Sequence, residues 1–165
     1  MPSPLHVREL APGGPATVLL LHGLTDSGEC WAGVVPRWRD RGWRLVAPDH
    51  RGHGESPRWD GALLARRPGD VMTDEALAVL AGLPGPTALV GHSMGAAVAV
   101  AVAARAPERV AGVVAEDPPW PLPPITAPDP VRARAYVAGF AEERALGFAG
   151  RIERKRRETP HWPAE

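Results

Sequence analysis

The stretch Ala88–Ala97 constrains the fold of this chain more than any other. It joins a short apolar run to a long alanine- and valine-rich segment through the turn Gly91-His92-Ser93-Met94-Gly95. This pattern predicts a buried strand that turns sharply into a helix. In such a turn the serine backbone is strained so that its hydroxyl projects from the sheet, and side chains two residues before and after it would collide. Glycine at both places predicts that Ser93 is a nucleophile at a helix N-terminus, where free N–H groups favour developing negative charge.

Strand-length apolar runs alternate with helical segments up to about residue 117. Strands are predicted at Leu5–Leu10, Thr17–Leu21, Trp43–Pro48 and Val110–Ala115, the last as a continuous buried run. Helices are predicted at Cys30–Arg41, Met72–Gly82 and Ala96–Ala104. Alternation of this kind predicts an α/β fold with a parallel sheet and right-handed crossovers.

Three motifs occur in a fixed order along this pattern: His22–Asp26, Asp49–Ser56 and Gly91–Gly95. Together they resemble the N-terminal half of an α/β-hydrolase of the serine type, from about Thr17 to Asp117. The resemblance implies a three-layer sandwich around a parallel sheet. The family's last strands, with the loop that carries its catalytic histidine, have no counterpart here, so we expect an incomplete fold.

The same resemblance implies roles for other site residues. In the family, the residue after His-Gly donates a backbone N–H to the oxyanion hole, which makes Leu24 one donor and Met94 the second. Asp117 follows directly from the last predicted strand, where some members carry the triad acid and many carry it one strand later. Asp117 is therefore the predicted acid, with Glu116 as the less favoured alternative.

The general base is not identified by the sequence. Acyl transfer needs a histidine within reach of the serine, and in this fold it follows the acid in chain order. We call the turn Gly91–Gly95 the elbow. Outside the elbow only His161 follows Ser93, and its surroundings do not resemble the family's histidine loop. His53 precedes the nucleophile in a loop where the family often carries a non-catalytic histidine, and His22 is expected to bond backbone.

The predicted domain organisation has three parts. Residues 1–117 form the hydrolase core, residues 118–130 a stiff connector with seven prolines in thirteen positions, and residues 131–165 a partial helical cap. A helix over Val131–Glu158, broken near Gly147 and Gly150, is predicted for the cap.

Composition limits the partners. The chain has 19 basic and 19 acidic residues, so nucleic-acid binding is not expected. The lone Cys30, expected to be a small core residue, allows no internal disulfide and favours the cytoplasm. No apolar run has the length of a membrane span. The six histidines are scattered, so neither a metal nor another cofactor is expected.

Two functions remain open at this stage. The first is a serine hydrolase that acts through Ser93 on a small ester-like or other acyl substrate. Serine rather than aspartate at the elbow disfavours the dehalogenase and epoxide-hydrolase branches of the family. The second is a truncated or non-catalytic fragment that retains the motifs without the catalytic histidine. In either case we expect self-association through the free edge of Val110–Ala115.

Overall fold

The structure is a computed structural model and describes residues 4–14, 16–119, 130–158 and 160. The strands are β1 (Val7–Ala11), β2 (Thr17–Leu21), β3 (Arg44–Pro48), β4 (Thr87–His92) and β5 (Val110–Glu116). The α-helices are α1 (Val35–Arg39), α2 (Gly61–Leu64), α3 (Pro68–Ala81), α4 (Met94–Arg105), α5 (Pro130–Ala145) and α6 (Gly147–Glu158). Short 3-10 turns cover Gly28–Gly33 and Pro107–Arg109.

The five strands form one mixed, mostly parallel sheet in the order β1-β3-β2-β4-β5. Strands β2, β3, β4 and β5 run parallel to one another, and β1 pairs with β3 in the antiparallel direction. In the register, Leu21 lies beside Gly91 and His92 beside Glu116. The carboxyl ends of β2, β4 and β5 therefore meet at one edge, where open α/β sheets place their ligands.

The core lies on both faces of the sheet because successive side chains of a strand point to opposite faces. On one face, Leu19 and Leu21 of β2 pack with Leu89 and with buried residues of α3 and α4. On the other face, Val18 and Leu20 pack with Trp31 and Val35. All five residues of β2 are buried. Helical segments on both sides of a central sheet give the α/β sandwich that the alternating sequence predicted.

Strand β5 corrects one sequence prediction. Val110–Ala115 was expected to be continuously buried, but most of β5 is exposed, including Val113 at 37% and Val114 at 60%. The physical reason is its position, because β5 pairs only with β4 and is an edge of the sheet that the described residues form. The same observation places an apolar strand at a free edge, as the self-association prediction requires.

The segment predicted as one helix, Cys30–Arg41, is also different. It consists of a 3-10 turn and the short helix α1, joined at Val34. Pro36 has no N–H to donate, so it fits the first turn of a helix and not its interior. A regular α-helix therefore does not extend before Val34. In the 3-10 turn, Cys30 is exposed while its neighbour Trp31 is buried. Cys30 is thus not a core residue.

The chain divides into two compact units, Met1–Trp120 and Pro121–Glu165. The second contains α5 and α6, which are separated by Leu146, and α6 begins at Gly147, a residue with φ of 64°. The predicted connector falls largely outside the described residues, and so does His161. None of the described helices combines the length and the hydropathy needed to cross a membrane.

Candidate active site

Ser93 lies in the turn between β4 and α4, with φ of 50° and ψ of −116°. A positive φ is uncommon for any residue other than glycine, and it costs energy that the surrounding structure must balance. Ser93 is half-buried, and its N–H donates to the carbonyl of Glu116 at 2.9 Å. This bond continues the pairing of β4 with β5 by one residue and fixes the serine above the carboxyl end of the sheet.

The two glycines of the motif are required by close packing. A Cβ at Gly91 would lie far inside van der Waals contact with the carbonyl of Gly95, and a Cβ at Gly95 would collide with the carbonyls of Leu21 and His22. These obstacles are backbone atoms, which cannot rotate away as a side chain does. The G-x-S-x-G spacing is therefore a steric requirement of this turn, as the sequence predicted.

The loop after β2 lies directly beside Ser93. A Cβ at Gly23 would be 3.6 Å from the Cβ of Ser93 and 2.9 Å from Nδ1 of His92. Any side chain at position 23 would therefore crowd the serine. We call residues 22–26 the β2 loop.

The fully buried His22 fixes the β2 loop. His50 N–H donates to His22 Nε2 at 2.9 Å, so the ring hydrogen is on Nδ1, which donates to the carbonyl of Gly23 at 2.8 Å. Burial lowers the pKa of His22, partly offset by its bond to Gly23, and this favours the neutral ring. The expectation that His22 bonds backbone is confirmed.

The predicted oxyanion donors flank this arrangement. The Gly23 carbonyl also accepts from Asp26 N–H at 3.2 Å, and in a trans peptide the carbonyl and the following N–H point in opposite directions. The Leu24 N–H is therefore directed away from the His22 ring and the Asp26 N–H, which both donate to the Gly23 carbonyl. Met94 is the first residue of α4, where N–H groups have no partner within the helix. Within the described residues, neither Leu24 nor Met94 donates its N–H to another backbone group.

A buried carboxylate holds the neighbouring loop after β3. Asp49 is fully buried and accepts from Gly28 N–H at 2.7 Å, from Glu55 N–H at 2.9 Å and from Arg8 Nη2 at 3.0 Å. Burial by itself raises the pKa of Asp49, but the hydrogen bonds from Glu55, Arg8 and Gly28 outweigh it, so the pKa is lowered. The carboxylate thus ties β1, the loop after β3 and the turn that follows the β2 loop into one unit.

Three imidazole rings lie together in this unit. The His22 ring centroid is 4.7 Å from that of His50 and 5.1 Å from that of His53. Burial, with His22 and His53 nearby, lowers the pKa of His50 to about 3. Its two ring nitrogens are buried and have no hydrogen-bond partner among the residues that the structure describes. His53 directs Nε2 at the Leu24 carbonyl, 2.7 Å away, and Nδ1 at the Arg51 carbonyl, 3.1 Å away.

The predicted acid stands at the end of β5. Asp117 is exposed, has φ of 46°, and follows Glu116, whose carbonyl holds Ser93. The structure thus brings Asp117 to the same sheet edge as the serine. Its role as the acid stays a prediction, and so does that of Glu116, whose side chain is likewise exposed.

No histidine in the described part of the chain hydrogen-bonds to the Ser93 hydroxyl. His22 and His53 bond backbone groups, and His161 lies outside the described residues. Nor do the described residues assemble a metal-binding group of three or more His, Cys, Asp or Glu. The described residues thus include the predicted nucleophile and both predicted N–H donors, but no histidine bonded to the serine hydroxyl.

Sequence reasoning did not give Asp49, His50 or Arg51 a role of their own. Arg51 is 2% exposed and its guanidinium pairs with Glu75 of α3 at 2.6 Å. The sequence signal for these three residues was a charged and polar run directly after the apolar strand β3. Polar side chains that are buried there need hydrogen-bond partners. Pattern alone does not reveal which partners they find, since Arg8 and Glu75 are distant in sequence.

The fold agrees with the comparison of this chain with known proteins. The alpha/beta hydrolase fold family matches residues 16–154, and the chain belongs to this family. The lipase LipV of Mycobacterium tuberculosis is 39% identical over 119 residues, which cover 69% of this chain and 41% of the lipase. The pyrethroid hydrolase of Sphingobium wenxiniae is 35% identical over 97 residues, covering 59% of this chain and 34% of that enzyme.

Solved structures give the same result. The thioesterase domain from the curacin biosynthetic pathway superposes with a TM-score of 0.68 at 26% identity, over 93% of this chain and 56% of that domain. The chain spans less than half the length of the curated relatives described above. Relatives named as a lipase, a hydrolase and an esterase make this a chain of a hydrolase family.

Proposed function

We propose that this chain carries the nucleophile and oxyanion half of a serine hydrolase that acts on an ester-like acyl substrate. The observation that carries the proposal is the backbone of Ser93, held at φ of 50° between two glycines that tolerate no Cβ. A conformation that costs energy is retained where neighbouring structure enforces it, and such positions cluster at active sites.

The chemistry follows from the groups around the serine. The hydroxyl of Ser93 would attack the acyl carbon, and the resulting oxyanion would accept from the N–H groups of Leu24 and Met94. Met94 adds the positive end of α4, a helix of 12 residues. Asp117, at the end of β5, would orient and stabilise the histidine that takes the proton. These steps need no metal or organic cofactor.

Relatives support the substrate class. The names lipase and thioesterase denote hydrolysis of carboxylic esters and of thioesters, and both belong to proteins that resemble this chain. The two reactions share a tetrahedral oxyanion intermediate, which is what the two N–H donors would bind. We therefore propose a small carboxylic ester or thioester as the substrate.

A fluorophosphonate probe tests the nucleophile, because it bonds covalently to activated serine hydroxyls. We expect slow but specific labelling of the 165-residue chain, lost in Ser93→Ala and unchanged in the control Ser27→Ala, whose hydroxyl caps the turn after the β2 loop. Persistent labelling of Ser93→Ala would refute the assignment. A chain that stays unlabelled with Ser93 intact would favour the second function, a non-catalytic member of the family.

The described residues supply no base, so we also propose that the 165-residue chain is a poor esterase by itself. Without a base the serine stays protonated and weakly nucleophilic, and only oxyanion and binding contributions survive. Hydrolysis of a short-chain ester should therefore be barely above that of Ser93→Ala. Rapid turnover that disappears in His161→Ala would contradict this and identify His161 as the base.

A further inference from the structure

Leu24 is held by hydrogen bonds rather than by packing. Its side chain is 52% exposed, so burial does little to fix its backbone. The peptide group before it is held through the Gly23 carbonyl, which His22 and Asp26 bind. The peptide group after it is held through the Leu24 carbonyl, which lies 2.7 Å from His53 Nε2. Both flanking peptides therefore need their partners for the Leu24 N–H to keep its direction.

His53 is itself attached to a rigid part of the molecule. Its Nδ1 lies 3.1 Å from the carbonyl of Arg51, and the side chain of Arg51 is buried and paired with Glu75 on α3 at 2.6 Å. The ring also packs edge-on against His22. A side chain anchored in this way can hold a neighbouring exposed loop in place.

We propose that His53 is a positioning residue for the oxyanion site. It donates from Nε2 to the Leu24 carbonyl and so fixes the peptide group that follows Leu24. With the preceding peptide group held through the Gly23 carbonyl, this keeps the Leu24 N–H directed at the developing oxyanion. The proposal rests on the proposed function, since it assigns Leu24 as a donor. Both ring nitrogens lie against carbonyl oxygens, which accept and do not donate, and a neutral ring has one N–H, which the shorter contact assigns to Nε2. His53 is thus engaged with the backbone and not with Ser93.

Replacing His53 by glutamine or by asparagine distinguishes a positioning role of His53 from general support of the β2 loop. The amide nitrogen of glutamine approximates the place of His53 Nε2 and can donate to Leu24, whereas that of asparagine approximates Nδ1 and reaches only Arg51. We expect His53→Gln to behave as the unsubstituted chain. His53→Asn and His53→Ala should both release the Leu24 carbonyl.

The first readout needs no activity. The amide nitrogen of Thr25 belongs to the same peptide group as the Leu24 carbonyl, so its ¹⁵N chemical shift reports the hydrogen bond to that carbonyl. In ¹H–¹⁵N spectra of the whole chain we expect the Thr25 resonance to stay in place in His53→Gln and to move in His53→Asn and His53→Ala. The rest of the spectrum serves as the check that each variant is folded.

The second readout is the rate of fluorophosphonate labelling of Ser93. Loss of an oxyanion donor costs on the order of 100-fold, and a misdirected donor should cost about tenfold in His53→Asn and His53→Ala. Equal rates and an unmoved Thr25 resonance in all variants would overturn the proposal, as would equal disturbance by Gln and Asn. If Ser93 is not labelled in any chain, the proposed function fails, while the Thr25 resonance still decides whether His53 holds the loop.

Discussion

Strands β2 and β5 are both composed mostly of small or branched apolar residues, but they differ in burial. Every residue of β2 is buried, and its carboxyl end leads into a loop that buried polar groups hold. Most of β5 is exposed, and its carboxyl end leads to exposed residues. The difference lies in sheet position, because among the described strands β2 is paired on both sides and β5 on one. An apolar run thus predicts that a strand forms. How much of that strand is buried depends on how many strands pair with it.

The largest effect that tests this comparison is a core truncation on each strand. Leu20 of β2 is fully buried and Val114 of β5 is 60% exposed. We expect Leu20→Ala to lower the free energy of unfolding by about 3 kcal/mol or more. Val114→Ala should change it by less than about 0.5 kcal/mol. Urea unfolding of the two variants measures both values, and similar losses would show that β5 is buried in solution.

A second pair compares glycines near the same two strands. A Cβ at Gly95 would collide with backbone carbonyls at the end of β2, while a Cβ at Gly112 of β5 meets nothing within 4 Å. Gly95→Ala should therefore lower the free energy of unfolding by about 2 kcal/mol or more. Gly112→Ala should leave it within about 0.5 kcal/mol. If neither substitution lowered the stability measured in a thermal unfolding assay, the close packing described around Gly95 would be contradicted.

A smaller effect concerns pH at the well-packed end of the sheet. Burial, with His22 and His53 nearby, lowers the pKa of His50 from 6.5 to about 3. A lowered histidine pKa means that the folded chain binds fewer protons than the unfolded chain. The stability that depends on a neutral His50 ring is thus fully present above pH 6.5, and it is lost as the pH falls towards 3.

His50→Leu tests this pH dependence, since the His50 ring nitrogens have no hydrogen-bond partner to lose in the described part of the chain. We expect the free energy of unfolding of the variant to fall less steeply between about pH 6.5 and pH 4.5 than that of the unsubstituted chain. Urea titrations at several pH values give the two slopes. Parallel slopes would show that His50 does not titrate on unfolding in this window.

The sequence predicted the strands and the elbow well because those signals are local. Thr17–Leu21 has the predicted bounds, and the collisions at Gly91 and Gly95 follow from spacing alone. Helix α3 begins at Pro68, four residues before the predicted Met72, because a proline is well suited to a helix's first position. That start was missed because the apolar pattern begins later.

The support of the candidate site was not predictable in the same way. His53 contacts the carbonyl of Leu24, 29 residues away in sequence, and Arg51 contacts Glu75, 24 residues away. Such contacts depend on how loops meet in space. A residue-by-residue pattern carries no information about them, so the sequence predicted Ser93 as the nucleophile but not the groups that hold the candidate site.

Hydrogen–deuterium exchange of the backbone amides tests the central contrast between β2 and β5 most directly. An amide paired in the interior of a sheet exchanges only when the structure opens, whereas an unpaired amide at an edge exchanges freely. At low protein concentration we predict slow exchange throughout β2. In β5 we predict slow exchange only for amides that pair with β4, with the alternate amides exchanging fast. Protection of β5 as complete and as concentration-independent as that of β2 would contradict the account.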